Sequence, residues 1–140
     1  MEQVSAALAL QKAIRARLVA TPAVTDLVPA TAILDRNQRP APSPSIILGE
    51  AQEVDEGDSL SRKRTRIFHT IHVWKQEASL AGATAINGAI RAALHERPTL
   101  GPAFHLADLK IASARAVRDP DGATSHGIVT VEALVLEYGP

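Results

Sequence analysis

The chain contains no cysteine, which excludes disulfides and thiolate metal sites. It is almost as poor in aromatics, with Phe68, Phe104, Trp74 and Tyr138 alone, so Val, Ile, Leu and Ala must fill any core. A fully buried Leu or Ile contributes about 1.5–3 kcal/mol, and Ala much less, so modest monomer stability supplemented by assembly is expected. Charge of one sign is also lacking: fifteen basic and fifteen acidic residues cancel. A dedicated nucleic-acid binder draws its affinity from released phosphate counterions and shows a basic excess, which this chain does not. No long apolar run exists either. Residues 80–94 form the longest weakly polar stretch, too short for a bilayer and interrupted by Asn87 and Arg91. Residues 4–10 are apolar, but Lys12, Arg15 and Arg17 follow rather than precede them, the reverse of a secretory leader. A soluble chain made in a cytoplasm is therefore expected. Its 140 residues suit one domain, residues 1–140, large enough to bury about two-thirds of its unfolded surface.

What is present alternates between two periodicities. Ala7, Leu10, Ile14 and Leu18 recur at spacings of three and four, which predicts a helix over residues 4–20. Thr21-Pro22 reads as an N-cap and first helical position of a short turn ending before Pro29. A brief strand over residues 31–34 precedes an extended loop holding Pro40, Pro42 and Pro44. Strands are expected over residues 45–54 and 65–75, joined by a polar hairpin loop. In the second, Ile67, Ile71 and Val73 share one face, and Phe68, His72 and Trp74 the other. Apolar groups on both faces predict cover on both sides, from the chain itself or from a neighbouring subunit. Ser79 is positioned to cap a helix whose stripe is Ala83, Ile86, Ile90 and Leu94, ended by Pro98. Gly82 and Gly88 each cost about 1 kcal/mol in a helix interior, so a close approach to sheet or helix is expected at both. Strands over 106–117 and 128–138 follow, separated by the turn Arg118-Asp119-Pro120-Asp121-Gly122, with Val129, Val131, Ala133 and Val135 on the buried face. The fold class is α+β: a mixed or antiparallel sheet with two main helices packed on it.

Candidate chemistry is sparse. His69 and His72 stand three apart on a strand and point to opposite faces, so they cannot grip one ion. The acidic cluster Glu53, Asp55, Glu56 and Asp58 lacks the alternating ligands and closing bidentate Glu of a calcium loop. No nucleophile elbow, phosphate loop or dinucleotide fingerprint occurs. Neither an enzymatic site nor a cofactor or metal is expected. The basic run Arg62-Lys63-Arg64 with Arg66 has three readings: a solvated loop, a partner for acidic groups of an adjacent copy, or a phosphate contact.

Taken in order, several segments resemble the tail-completion, or tail-terminator, family of long-tailed bacteriophages and related prophage elements. They are residues 10–18, Thr21-Pro22-Ala23-Val24, residues 44–49, His69-Thr70-Ile71-His72-Val73-Trp74, residues 83–94, Arg118-Asp119-Pro120-Asp121-Gly122 and His126-Gly127. The charged insert over residues 55–64 departs from the pattern. The resemblance implies a virion structural protein, not an enzyme, forming a ring, usually of six copies. That ring caps the tail tube, joins it to the head-side connector and leaves a channel for passing DNA. Its implied partners are further copies of the chain, the tube protein and the connector or stopper protein. On this reading Asp55, Glu56, Asp58, Arg62, Lys63, Arg64 and Arg66 are the candidate subunit-interface or channel residues.

Overall fold

Helix α1 (Ala6–Val19) starts where the Ser5 hydroxyl accepts the Leu8 amide at 3.1 Å, satisfying one of the donors that a helix start leaves unpaired. This first turn belongs to a computed structural model that describes residues 5–57 and 60–138. Leu10, Ile14 and Leu18 lie on the inner stripe of α1 and are fully buried, as their spacing requires. A short α2 (Pro22–Thr25) follows. Thr21 occupies its N-cap position, but its hydroxyl donates back to the Arg17 carbonyl at 2.6 Å instead of accepting a helix amide. A single 3₁₀ turn (Ala30–Ala32) leads into the two-residue strand β1 (Ile33–Leu34), where a strand over 31–34 was expected.

Three long strands and one longer one complete the sheet: β2 (Ser45–Asp55), β3 (Arg64–Lys75), β4 (Phe104–Arg118) and β5 (Ser125–Glu137). The order is β1-β2-β3-β5-β4. Among the described residues only the β1–β2 pair is parallel and the other pairs are antiparallel, so the sheet is mixed. Helix α3 (Ala81–Ala93) crosses from β3 to β4 and, with α1, covers one face. The fold is thus α+β with both main helices on the same side.

Side-chain alternation explains which face they cover. Ile67, His69, Ile71 and Val73 of β3 and Val129, Val131, Ala133 and Val135 of β5 are buried beneath Leu10, Ile14, Leu18, Ile86 and Ile90. The intervening residues Phe68, Thr70, His72 and Trp74 are only half-buried, as are Ile128, Thr130, Glu132, Leu134 and Leu136. Within the described chain, then, the helices supply cover for one face of β3, not for both.

The two helical glycines behave differently from each other. A Cβ at Gly82 would lie 2.6 Å from the Lys75 side chain, a close approach as expected. Gly88 is exposed, and a Cβ there would meet nothing within 4 Å, which corrects the expectation of a packing role in the chain. The intimate helix–sheet contact comes instead from Asn87. Its Nδ2 donates to the Arg115 carbonyl at 3.0 Å, and its Oδ1 sits where a side chain on Gly127 would be. Ser79 lies one residue ahead of the N-cap position, Leu80, yet its hydroxyl still accepts the Ala81 amide at 3.1 Å; Glu77 accepts that of Gly82 at 3.0 Å.

Among the described residues one ionisable group lies inside the core. His69 is fully buried, with its Nε2 3.4 Å from Oε1 of Gln11 on α1. Burial pushes its pKa below the ordinary value of 6.5, opposed by a hydrogen bond involving the Thr70 backbone and by the Glu50 carboxylate. The unfolded chain then binds a proton that the folded chain refuses. Stability is fully present above pH 6.5 and falls as the pH drops below it toward the depressed folded value. Urea midpoints measured from pH 7.5 downward should show this decline, and His69→Leu should flatten it. An unchanged slope in the variant would assign the acid sensitivity elsewhere.

Candidate assembly surface

The charged residues singled out in the sequence gather at the β2–β3 hairpin, but the structure separates them into two groups. Asp55 ends β2 and is exposed, while Asp58 lies outside the described residues. Gly57 takes φ 77°, a left-handed turn geometry that its missing Cβ permits. Arg62 is exposed at the return of the turn, with φ 54°. Lys63 is half-buried and its carbonyl accepts the Glu137 amide at 2.8 Å. Arg64 opens β3, and its carbonyl accepts the Glu56 amide at 3.0 Å.

Glu56 and Arg66 are bonded to one another within the chain. Arg66 Nε donates to Glu56 Oε1 at 2.9 Å, and its Nη2 reaches the same oxygen. The remaining arm of the guanidinium, Nη1, donates to Oε2 of Glu132 on β5 at 2.7 Å, and Lys110 Nζ on β4 lies 3.6 Å from that carboxylate. A four-residue ion cluster therefore crosses β3, β5 and β4 on the face opposite the helices. Sequence reasoning missed Glu132 and Lys110. Their signal is the register: Arg66 pairs with Leu134 and Lys110 with Glu132, so the three charges stand on adjacent strands of one face.

Farther along the same face, the structure unites two histidines that lie 54 residues apart. His72 Nδ1 and His126 Nε2 are 2.8 Å apart, and the Trp74 ring stacks on His126 at 3.8 Å with 8° between planes. Burial lowers the His126 pKa, reinforced by the nearby His72, whose Nε2 lies 3.5 Å from the Glu50 carboxylate. His69, on the other face, takes no part. Among the described residues no three His, Cys, Asp or Glu side chains converge as metal ligands.

A groove of about 670 Å³ runs beside Trp74, between the proline loop (residues 37–43) and the turn carrying Asp119 and Asp121. Two of the ionisable side chains lining it, Lys75 and Asp121, are engaged in local structure. Lys75 pairs with Glu77 at 3.1 Å; the Asp121 carboxylate accepts the amides of Ala123 and Thr124 and the Thr124 hydroxyl. These bonds hold Asp121 below the usual carboxylate range and close the turn between β4 and β5. What the surface offers is a half-apolar sheet face crossed by an ion cluster, suited to contact with another folded surface.

Comparison with known proteins identifies the family. Residues 12–136 match the family described as Tail completion protein gp17. Among solved structures, a chain from the "Virion of native gene transfer agent (GTA) particle" superposes with a TM-score of 0.79 at 25% identity, covering 96% of this chain and 99% of that one. A search of the curated proteins finds no match. With nearly its whole length matched, the chain belongs to the tail completion protein gp17 family.

Proposed function

We propose that the protein is a ring-forming tail terminator, a structural component of the virion at the head–tail interface. Docked on the last ring of the tail tube, it stops further polymerisation and presents the face that the head-side connector binds. The observation that carries this reading is the one-sided sheet. Helices seal one face, while the other displays half-buried Phe68, Trp74, Ile128, Leu134 and Leu136 for want of a covering layer. Such a surface calls for contacts beyond the chain, and identical copies can join in a closed ring through heterologous contacts without loose ends. Family membership and the likeness to a chain of the gene transfer agent virion support a place in the tail. Six copies is the number the family resemblance implies. DNA enters only as passing cargo, in keeping with the balanced net charge. No catalytic step belongs to this reading.

The hairpin contributes in two ways. Glu56 and Arg66 brace its root within the chain, whereas the exposed Asp55 and Arg62 project toward a neighbouring copy. Electron microscopy of particles produced without this protein tests the assignment. Overlong or headless tails are expected. Normal-length tails that simply fail to join heads would place the protein in the adjacent connector ring, and intact particles would overturn both assignments.

A further inference from the structure

Both long edges of the sheet are unpaired along most of their length among the described residues. β1 covers β2 only at Ile46 and Ile47, leaving residues 48–55 without a neighbour on that side. β4 pairs with β5 alone. A row of unsatisfied backbone donors and acceptors is a template for another strand. We propose that, in the ring just inferred and resting on that reading, the β2 edge of one copy pairs with the β4 edge of the next, making one continuous sheet around the channel.

Strand direction permits this junction. β2, β3, β5 and β4 alternate antiparallel across the sheet, so β2 and β4 themselves run in opposite directions. Rotation about a ring axis preserves direction, and the β4–β2 junction between copies is then antiparallel like those inside each copy.

Local regularity selects the segments. In β4, bulges interrupt the register between Leu106 and Asp108 and between Ile111 and Ser113, and the Arg97 guanidinium occupies the Ala107 carbonyl. Bulges and capping blunt an edge. The regular remainder is residues 113–118. In β2 a shift between Leu48 and Ala51 leaves residues 51–55 regular. On the helix-side face these two stretches also carry opposite charge: Glu53 and Asp55 in one, Arg118 in the other.

Their positions along the sheet fit a closed cylinder. The β2 stretch lies level with residues 65–69 of β3, and the β4 stretch, through β5, with residues 70–75. The offset between centres is five to six residues, roughly 18 Å at about 3.3 Å per residue, while four strands span roughly 19 Å. Joining the stretches therefore tilts the strands by about 43°, within the roughly 35–45° of closed barrels. At that register β4 ends at Arg118 just short of the part of β2 that β1 covers, and the 119–124 turn carries the neighbour clear of it.

The natural absence of cysteine makes a direct test simple. Val54 and Ser113 both lie on the face away from the helices, opposite Arg66 and Thr130 respectively. The variant carrying Val54→Cys and Ser113→Cys together, with Ser113→Cys replaced by Arg115→Cys to sample the next register, is oxidised after assembly on tails. A ladder of disulfide-linked multimers on a denaturing gel is expected, absent from each single-cysteine variant. Rings seen by electron microscopy with no ladder in either register would overturn the edge pairing and leave the terminator reading standing. Failure to find any ring in completed particles would overturn both.

Discussion

Gly127→Ala is expected to destabilise the fold by about 1–3 kcal/mol, the usual range for overpacking a dense interior. That corresponds to a fall in thermal midpoint of roughly 3–12 °C for a chain of this size. The new Cβ would stand 2.5 Å from Asn87 Oδ1 and 2.9 Å from Val73 Cβ, and neither neighbour yields freely. Val73 is set in the central strand β3, and the Asn87 amide is held by the Arg115 carbonyl. Gly127 has an ordinary strand partner in Val73, so the requirement for glycine is one of space at the helix–sheet contact. A double-mutant cycle with Asn87→Ala separates this from a general strand-propensity effect. Removing the amide should relieve part of the clash, with a coupling of about 0.5–3 kcal/mol typical of touching residues. Strict additivity in thermal or urea unfolding would show that Asn87 is not the obstacle.

The second large effect is expected to divide the basic run in two. Arg66→Glu would place a third carboxylate beside Glu56 and Glu132, with Lys110 as the one cation left in the cluster. A lower thermal midpoint of the isolated chain is the expected result, because the ions bracing the hairpin root would then repel. Arg62→Glu acts at the exposed turn, where surface substitutions usually stay within about 0.5 kcal/mol of neutral. Near-native unfolding combined with lost ring formation and failed head joining is expected there. Should the turn variant assemble normally while Arg66→Glu alone abolishes assembly at unchanged stability, the division of roles argued here would be reversed.

Much of this architecture was legible because it rests on short-range rules. The stripe Leu10, Ile14, Leu18 and the stripe Ala83, Ile86, Ile90 placed α1 and α3, and all six residues are buried. Alternation along Val129, Val131, Ala133 and Val135 placed β5 and its inner face. Strand limits came within a few residues, the shortfall arising at ends such as Phe104 and Ser125, which are buried by contacts made elsewhere in the chain. Gly88 was misread because a costly helical glycine invites a packing explanation, and only the exposed side of α3 reveals that nothing among the described residues approaches it. The candidate site was legible in composition but not in connectivity. The sequence placed Glu56 and Arg66 near each other without revealing that they bond within the chain, or that Glu132 completes the cluster.

The sequence alone determined the order of helices and strands, the aliphatic character of the core and the family, since each depends on local periodicity or on residues read in succession. Tertiary structure decided which face stays uncovered, which charges are already neutralised and which edges stay unpaired. Those properties follow from strand register and sheet order, which bring together residues such as His72 and His126 across distances that no local pattern encodes.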